Sequence, residues 1–309
     1  MKCAYHPAYE VPLSPTHPFP MSKYPLLKAR LLEEQLIAPR DLIEPEPPAH
    51  GVLARVHTAA YLEKLGSGSL SAAEIRRLGL PWSEALWQRS LLASAGTLLA
   101  ARHALRQGLA ANLAGGTHHA FADHGEGFCV LNDVAIAIAQ LRAEGAIRRA
   151  AVIDLDVHQG NGTASIFEHD ESVFTFSMHG ERNYPTAKMR STLDVALPDG
   201  ADDELYARAL AAHLPQVLAH SRPDVAFYIA GVDVAAGDRY GKLALTEGGI
   251  RARDQYVIDS VRTAGVPLVI TLGGGYAVTR DRTAELHTHV FRAAVAHERQ
   301  SGSNPHPPV

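Results

Sequence analysis

The chain has 309 residues, 46% hydrophobic and 20% charged, which suits a folded protein with a large core and excludes collagen, long coiled coil and wholesale disorder. The 29 Lys and Arg against 33 Asp and Glu leave a net charge of −4, so no basic excess exists to neutralise a phosphate backbone and nucleic-acid binding is not expected. Two cysteines, Cys3 and Cys129, cannot build a disulfide framework and fit a reducing compartment.

The first 20 residues contain five prolines and lack the apolar run of a signal peptide. A helix is expected over 24–35, where Leu26, Leu27, Ala29, Leu31 and Leu32 supply an apolar side, followed by a surface loop at Glu44-Pro45-Glu46-Pro47-Pro48. A second helical pattern covers 82–107, with Gly96 inside it as a possible interruption. Its apolar stretch 91–105 is broken by Arg102 and His103 before it could span a bilayer, so a cytoplasmic protein without membrane contact is expected.

From there short apolar runs alternate with helical patterns. Strands are predicted over 110–114, 150–155, 172–178, 224–230 and 267–272, and helices over 131–144, 203–220, 247–264 and 281–297. Near-continuously apolar strands separated by helices imply an open, mostly parallel β-sheet with helices on both faces. No repeat or linker interrupts the rhythm. The expected organisation is one α/β domain over residues 1–300 and a disordered tail, SGSNPHPPV, over 301–309.

In an open α/β sheet ligands bind beyond the carboxyl ends of the strands. Four predicted strand ends carry unusual residues: Gly115-Gly116-Thr117-His118-His119, Asp154-Leu155-Asp156-Val157-His158, Ala230-Gly231-Val232-Asp233 and Gly273-Gly274-Gly275-Tyr276. In extended chain Asp154, Asp156 and His158 face one way. A carboxylate and an imidazole side by side can hold a divalent metal, with Asp233 as the best third ligand. Two carboxylates and one histidine leave a position open for water, as in catalytic zinc sites. The competing reading has Asp154 and Asp156 capping the next segment, with His158 bonded to them.

The His118-His119 pair could be ligands, an acid/base pair or surface residues. Asp154 and Asn161 could each accept an N–H from one of them and set its tautomer. The Gly-rich turn before Tyr276 could cradle phosphate or present a phenol to a developing oxyanion. Val278 stands where the dinucleotide fingerprint needs a third glycine, and no Gly-Lys-Ser/Thr follows. A two-metal ureohydrolase centre needs a carboxylate two positions after His158, where the chain has Gly160, so a single metal is the better reading.

Together GGTHHAFADHGEGFCVLND, VIDLDVHQGNGT, IAGVD followed by AAGDR, and LGGGY resemble the histone deacetylase and acetylpolyamine amidohydrolase family, in the family's order over residues 115–276. THPF and VHTAAYLEKL near the start resemble it too. Asn161 where many members carry Asp, Gln159 after the histidine, and YPTAKMR point to the class IV branch with its bacterial members. The resemblance implies the arginase–deacetylase fold and one Zn2+ held by Asp156, His158 and Asp233. It implies a substrate tunnel walled by Gly127 and Phe128, and His119 as general base and acid with His118 as its electrostatic partner. Asp154 would orient His118, Asn161 would stand behind His119, and Tyr276 would bind the oxyanion. A K+ ion near Asp154, Asp156, His158 and Ser177 is also implied. The implied partner is an acylated lysine of a peptide or protein, or an acylated small amine. The implied reaction is zinc-dependent hydrolysis of its amide. A silent acyl-lysine-binding module is the alternative from another class; it would have no need of His119 and Tyr276 together.

Overall fold

The computed structural model describes residues 1–302. Eight parallel strands form one open sheet: β1 (Lys2–Ala4), β2 (Leu42–Ile43), β3 (Leu109–Asn112), β4 (Ala150–Asp154), β5 (Val173–Gly180), β6 (Leu193–Leu197), β7 (Val225–Ile229) and β8 (Leu268–Thr271). Their order across the sheet is β2-β1-β3-β8-β7-β4-β5-β6. The helices are α1 (Lys23–Glu33), α2 (His50–Leu53), α3 (Ala59–Ser67), α4 (Ala72–Leu78), α5 (Glu84–Gln107), α6 (Asp133–Ala143), α7 (Asn161–Phe167), α8 (Asp203–Ser221), α9 (Glu247–Thr263) and α10 (Arg280–Gly302).

The strands alternate their side chains between two apolar layers, as the period of two demands. Ala150, Val152, Phe227, Ile229 and Val269 meet Leu98 and Ala101 of α5 and Val134 and Ile138 of α6. Ala151, Ile153, Tyr228 and Ile270 face the other way, into a layer with Leu214 of α8, Val257 of α9 and Val290 of α10. Burial on both faces explains why the central strands read as unbroken apolar runs. Among the described residues no helix is long and apolar enough to cross a membrane.

The expected strands and helices from residue 82 onward are all present, within a few residues of their expected ends. α5 runs unbroken through Gly96. A Cβ there would collide with the Tyr9 hydroxyl and the Asn112 amide, so this glycine is a packing requirement rather than a break. The chain also forms elements that hydropathy did not show: the edge strands β2 and β6, the short strand β1 between β2 and β3, and the short helices α2, α3, α4 and α7. Strands of two or three residues carry no period, and β6 is only half buried. Residues 301–302 of the expected tail belong to α10, and 303–309 lie outside the described residues.

Candidate active site

The four unusual strand ends follow β3, β4, β7 and β8, which are adjacent in the sheet in the order β3-β8-β7-β4. The sheet therefore brings His118, His119, Asp154, Asp156, His158, Asp233 and Tyr276 to one place, and all are buried.

Each turn is fastened from below. The Asp133 carboxylate, at the start of α6, accepts from the backbone N–H groups of Gly116 (3.1 Å) and Thr117 (2.8 Å) and from the Thr97 hydroxyl (2.5 Å), which holds the turn that carries the histidine pair. Gly116 has φ 75°, and a Cβ there would lie 2.6 Å from the backbone nitrogen of Gly273, so only glycine lets the two turns approach. Arg253 of α9 is buried and donates to the carbonyls of Gly231 (2.6 Å) and Leu155 (3.3 Å), fixing the ends of β7 and β4 together. Lys23 of α1 donates to the Gly273 carbonyl at 2.8 Å; burial lowers its pKa to about 8.

β4 ends at Asp154, so Asp156 and His158 lie in the turn beyond the strand rather than on one extended face. The turn holds them by the capping pattern that was the competing reading. Asp156 donates its N–H to Asp154 Oδ1 (3.2 Å), and His158 its N–H to Asp156 Oδ1 (3.0 Å). The bonds of that competing reading are therefore present, and they leave Asp156 Oδ2 and the His158 ring on the same side of the turn as Asp233. The Gly-rich turn contributes too: Gly274 N–H donates to Asp156 Oδ2 at 2.6 Å, and a Cβ on Gly274 would collide with Asp233 Oδ2. It packs on two carboxylates, a poor cradle for phosphate.

Asp156, His158 and Asp233 each offer a ligand atom within 4.8 Å of the others. His158 Nδ1 lies 3.0 Å from Asp156 Oδ1 and 3.2 Å from Asp233 Oδ2. Asp233 Oδ2 is buried without a hydrogen-bond partner. Burial, then the Asp156 charge, push Asp233 up to about 7. Burial opposes protonation of His158, but its bond to Asp156 and the nearby Asp233 carboxylate raise it to about 10. His158 and Asp233 are both driven toward protonation beside an Asp156 held well below the usual carboxylate range, so surplus negative charge collects here and a divalent cation fits these donors.

The histidine pair is split by its partners. His118 Nδ1 lies 2.6 Å from Asp154 Oδ2; burial works against its charge, but Asp154 and Asp156 outweigh it and push it up to about 9. His119 Nδ1 lies 2.6 Å from Asn161 Oδ1, and an amide oxygen only accepts, so Nδ1 carries the proton and Nε2 is the free base. Burial, then the charges on His118 and His158, hold His119 well below the ordinary imidazole value. Asn161 opens α7, whose Thr163 N–H donates to the His118 carbonyl at 3.0 Å.

A cavity of about 340 Å3 leads from the surface to His119, His158 and Tyr276, walled by Gly127, Phe128 and Tyr184. Phe128 has φ 68°, a conformation costly for a residue with a Cβ by about 1–3 kcal/mol. The C-terminal end of α4 holds it there, where Phe128 N–H donates to Leu78 O at 2.8 Å and Gly127 N–H to Arg77 O at 3.3 Å. The Tyr276 hydroxyl has no hydrogen-bond partner among the described residues. Burial raises it well above its ordinary value, so it stays a donor.

Ser177 lies beside Asp154 in the β4–β5 register, with its hydroxyl 3.0 Å from His179 Nδ1. Sequence reasoning missed Glu126 and Tyr184. Glu126 Oε1 accepts from the Asn161 amide (2.5 Å) and from the Tyr184 hydroxyl (2.7 Å), and the Tyr184 ring stands edge-on to His119 at 4.9 Å. Glu126 sits inside GEGFC and Tyr184 inside YPTAKMR, so the motifs contained them, but only the fold shows that they meet.

The histone deacetylase domain family matches residues 17–294. The chain is 46% identical over 293 residues to an uncharacterized protein of Picosynechococcus sp., covering 95% of this chain and 96% of that one. It is 32% identical over 270 residues to histone deacetylase 2 of Arabidopsis thaliana, covering 84% and 70%, and 30% identical over 267 residues to a histone deacetylase-like amidohydrolase of Pseudomonas aeruginosa, covering 81% and 70%. The crystal structure of the HDA15 HD domain superposes with a TM-score of 0.81 at 23% identity over 96% of this chain and 88% of that one, which is a likeness of fold. The chain belongs to the histone deacetylase family of hydrolases.

Proposed function

We propose that the chain is a zinc-dependent hydrolase that removes acyl groups from lysine side chains, and that it belongs to the class IV branch. The observation that carries this reading is the split histidine pair beside three residues able to hold a cation, at the floor of a cavity of about 340 Å3. Neighbouring titratable groups driven apart mark acid and base roles.

Asp156, His158 and Asp233 would hold the zinc. When bound, zinc supplies Lewis-acid polarisation of the amide carbonyl and a lowered pKa for the attacking water. His119 Nε2, neutral and aimed inward, takes the proton of that water. His118, charged by Asp154, stabilises the negative charge that develops nearby. The Tyr276 hydroxyl donates a hydrogen bond to the oxyanion of the tetrahedral intermediate. His119, now protonated, returns its proton to the leaving lysine amine. Phe128 and Tyr184 exclude water from the sides.

The test is a panel of acetyl-, long-acyl- and lactyl-lysine peptides with acetylated polyamines, read by mass spectrometry on zinc-loaded protein. Chelator-sensitive release from the lysine peptides is the expected result. No release from any member, with one zinc bound per chain, would leave the cavity as a binding module instead.

A further inference from the structure

The mouth of the cavity carries charge of one sign. Arg77 at the end of α4, Arg182 in the β5–β6 connection and Lys242 in the connection after β7 all line it, and no Asp or Glu does. This occurs in a chain of net charge −4. Three segments far apart in sequence therefore place their cations at one entrance.

The carboxylates of Glu126, Asp238 and Asp199 lie outside the cavity lining. Glu126 accepts from Asn161 and Tyr184, and Asp238 accepts from the backbone N–H groups of Tyr240, Gly241 and Tyr276. Asp199 lies 3.8 Å from Arg182, whose side chain is 75% exposed, a long surface pair that neutralises little. Among the described residues Arg77 and Lys242 form no ion pair; Lys242 Nζ donates to the Arg182 carbonyl at 3.0 Å, which keeps it at the rim. The three cations are exposed, whereas His119, His158 and Tyr276 are buried. They would meet what lies outside the tunnel, the residues flanking an acyl-lysine, and not the acyl group at its floor.

We propose that the mouth selects acyl-lysines carried in acidic peptide segments and disfavours acylated polyamines. This rests on the reading of the chain as an acyl-lysine hydrolase. In a polyamine the remaining ammonium groups follow the amide along a thin chain, so they would stand among Arg77, Arg182 and Lys242. Like charges at the mouth repel, whereas Asp or Glu beside the lysine is attracted.

The experiment measures kcat/KM of zinc-loaded enzyme on three peptides with one acyl-lysine and identical length, flanked by Glu, by Ser or by Lys, and on N-acetylspermidine. The Glu-flanked peptide is expected to exceed the Lys-flanked one by about tenfold at low salt, three screened contacts being worth a few-fold each. That ratio should fall toward unity near ~1 M salt, where the screening length is about 3 Å. Combining Arg77→Glu with Lys242→Glu should invert the ratio, read within one variant so that any overall change in rate cancels. Equal kcat/KM for the three peptides, or N-acetylspermidine outpacing the Glu-flanked peptide, overturns the proposal. Turnover of the Ser-flanked peptide separates the two failures. If it is hydrolysed and the ratio is flat, only this proposal falls; if it is not, the acyl-lysine reading falls and takes this one with it.

Discussion

His118 and His119 are adjacent in the chain, their rings 4.1 Å apart, yet the Asp154 and Asp156 charges raise one while burial and the charges on His118 and His158 hold the other down. A carboxylate stands behind His118, whereas the neutral Asn161 amide behind His119 supplies no charge to oppose burial there. Asn161→Asp places a negative charge against His119, favours its imidazolium and raises its pKa. The acidic limb of the kcat/KM profile reports protonation of that base, so it should move to higher pH; an unmoved limb would remove Asn161 from contact with His119. Tyr276→Phe deletes the hydroxyl proposed to bind the oxyanion and should lower kcat about 100- to 1000-fold with an unchanged circular dichroism spectrum. Near-native turnover in that variant would take Tyr276 out of the mechanism. Glu126 acts one step back, by holding the Asn161 amide and the Tyr184 ring. Glu126→Ala should cost about 10- to 100-fold in kcat, as loss of such supporting bonds does. Glu126→Gln keeps an oxygen that can accept both bonds and should recover most of the rate, which steady-state kinetics on the pair will show.

At the scale of elements, the site depends on how strand ends are tied to the helices behind them. Arg253 on α9 pairs with Asp254 at 2.9 Å, both 1% exposed, while holding two carbonyls at the ends of β4 and β7. Replacing a buried charge that has a buried partner leaves that partner uncompensated. Arg253→Met should therefore destabilise the fold by about 3–5 kcal/mol, seen as a lower denaturant midpoint in equilibrium unfolding. No signal in the sequence marks Arg253 as different from the exposed arginines around it. The strands themselves were legible because burial on both faces leaves only apolar residues between their polar ends. α4 was not, since seven residues hold two turns of pattern, yet its last carbonyls hold Gly127 and Phe128 at the tunnel wall. β6 was missed for a related reason: its residues alternate between half-buried and exposed, without an apolar run.

Over the whole molecule, a cation held by Asp156, His158 and Asp233 would couple binding to folding. Asp156, His158 and Asp233 come from two turns joined only through the folded sheet, so a metal bound there stabilises the native state over the unfolded chain. Chelation should lower Tm as well as activity, and zinc should restore both; saturation at one equivalent per chain is expected by metal analysis. A Tm indifferent to chelator would mean that these three residues hold no metal.

The sequence by itself determined the strand-and-helix rhythm, the parallel sheet and the chemistry-bearing strand ends. Each of these is local: a period, an apolar run, or a short motif whose residues are neighbours in the chain. What the tertiary structure decided is adjacency. The order β3-β8-β7-β4 puts ends from residues 118 to 276 around one cavity. The same packing sets a carboxylate behind His118 and an amide behind His119, ties Glu126 to Tyr184, and gathers Arg77, Arg182 and Lys242 at one mouth. Contacts between residues tens to hundreds of positions apart leave no periodic trace in the chain. Their energies depend on burial and distance, which exist only once the sheet is assembled.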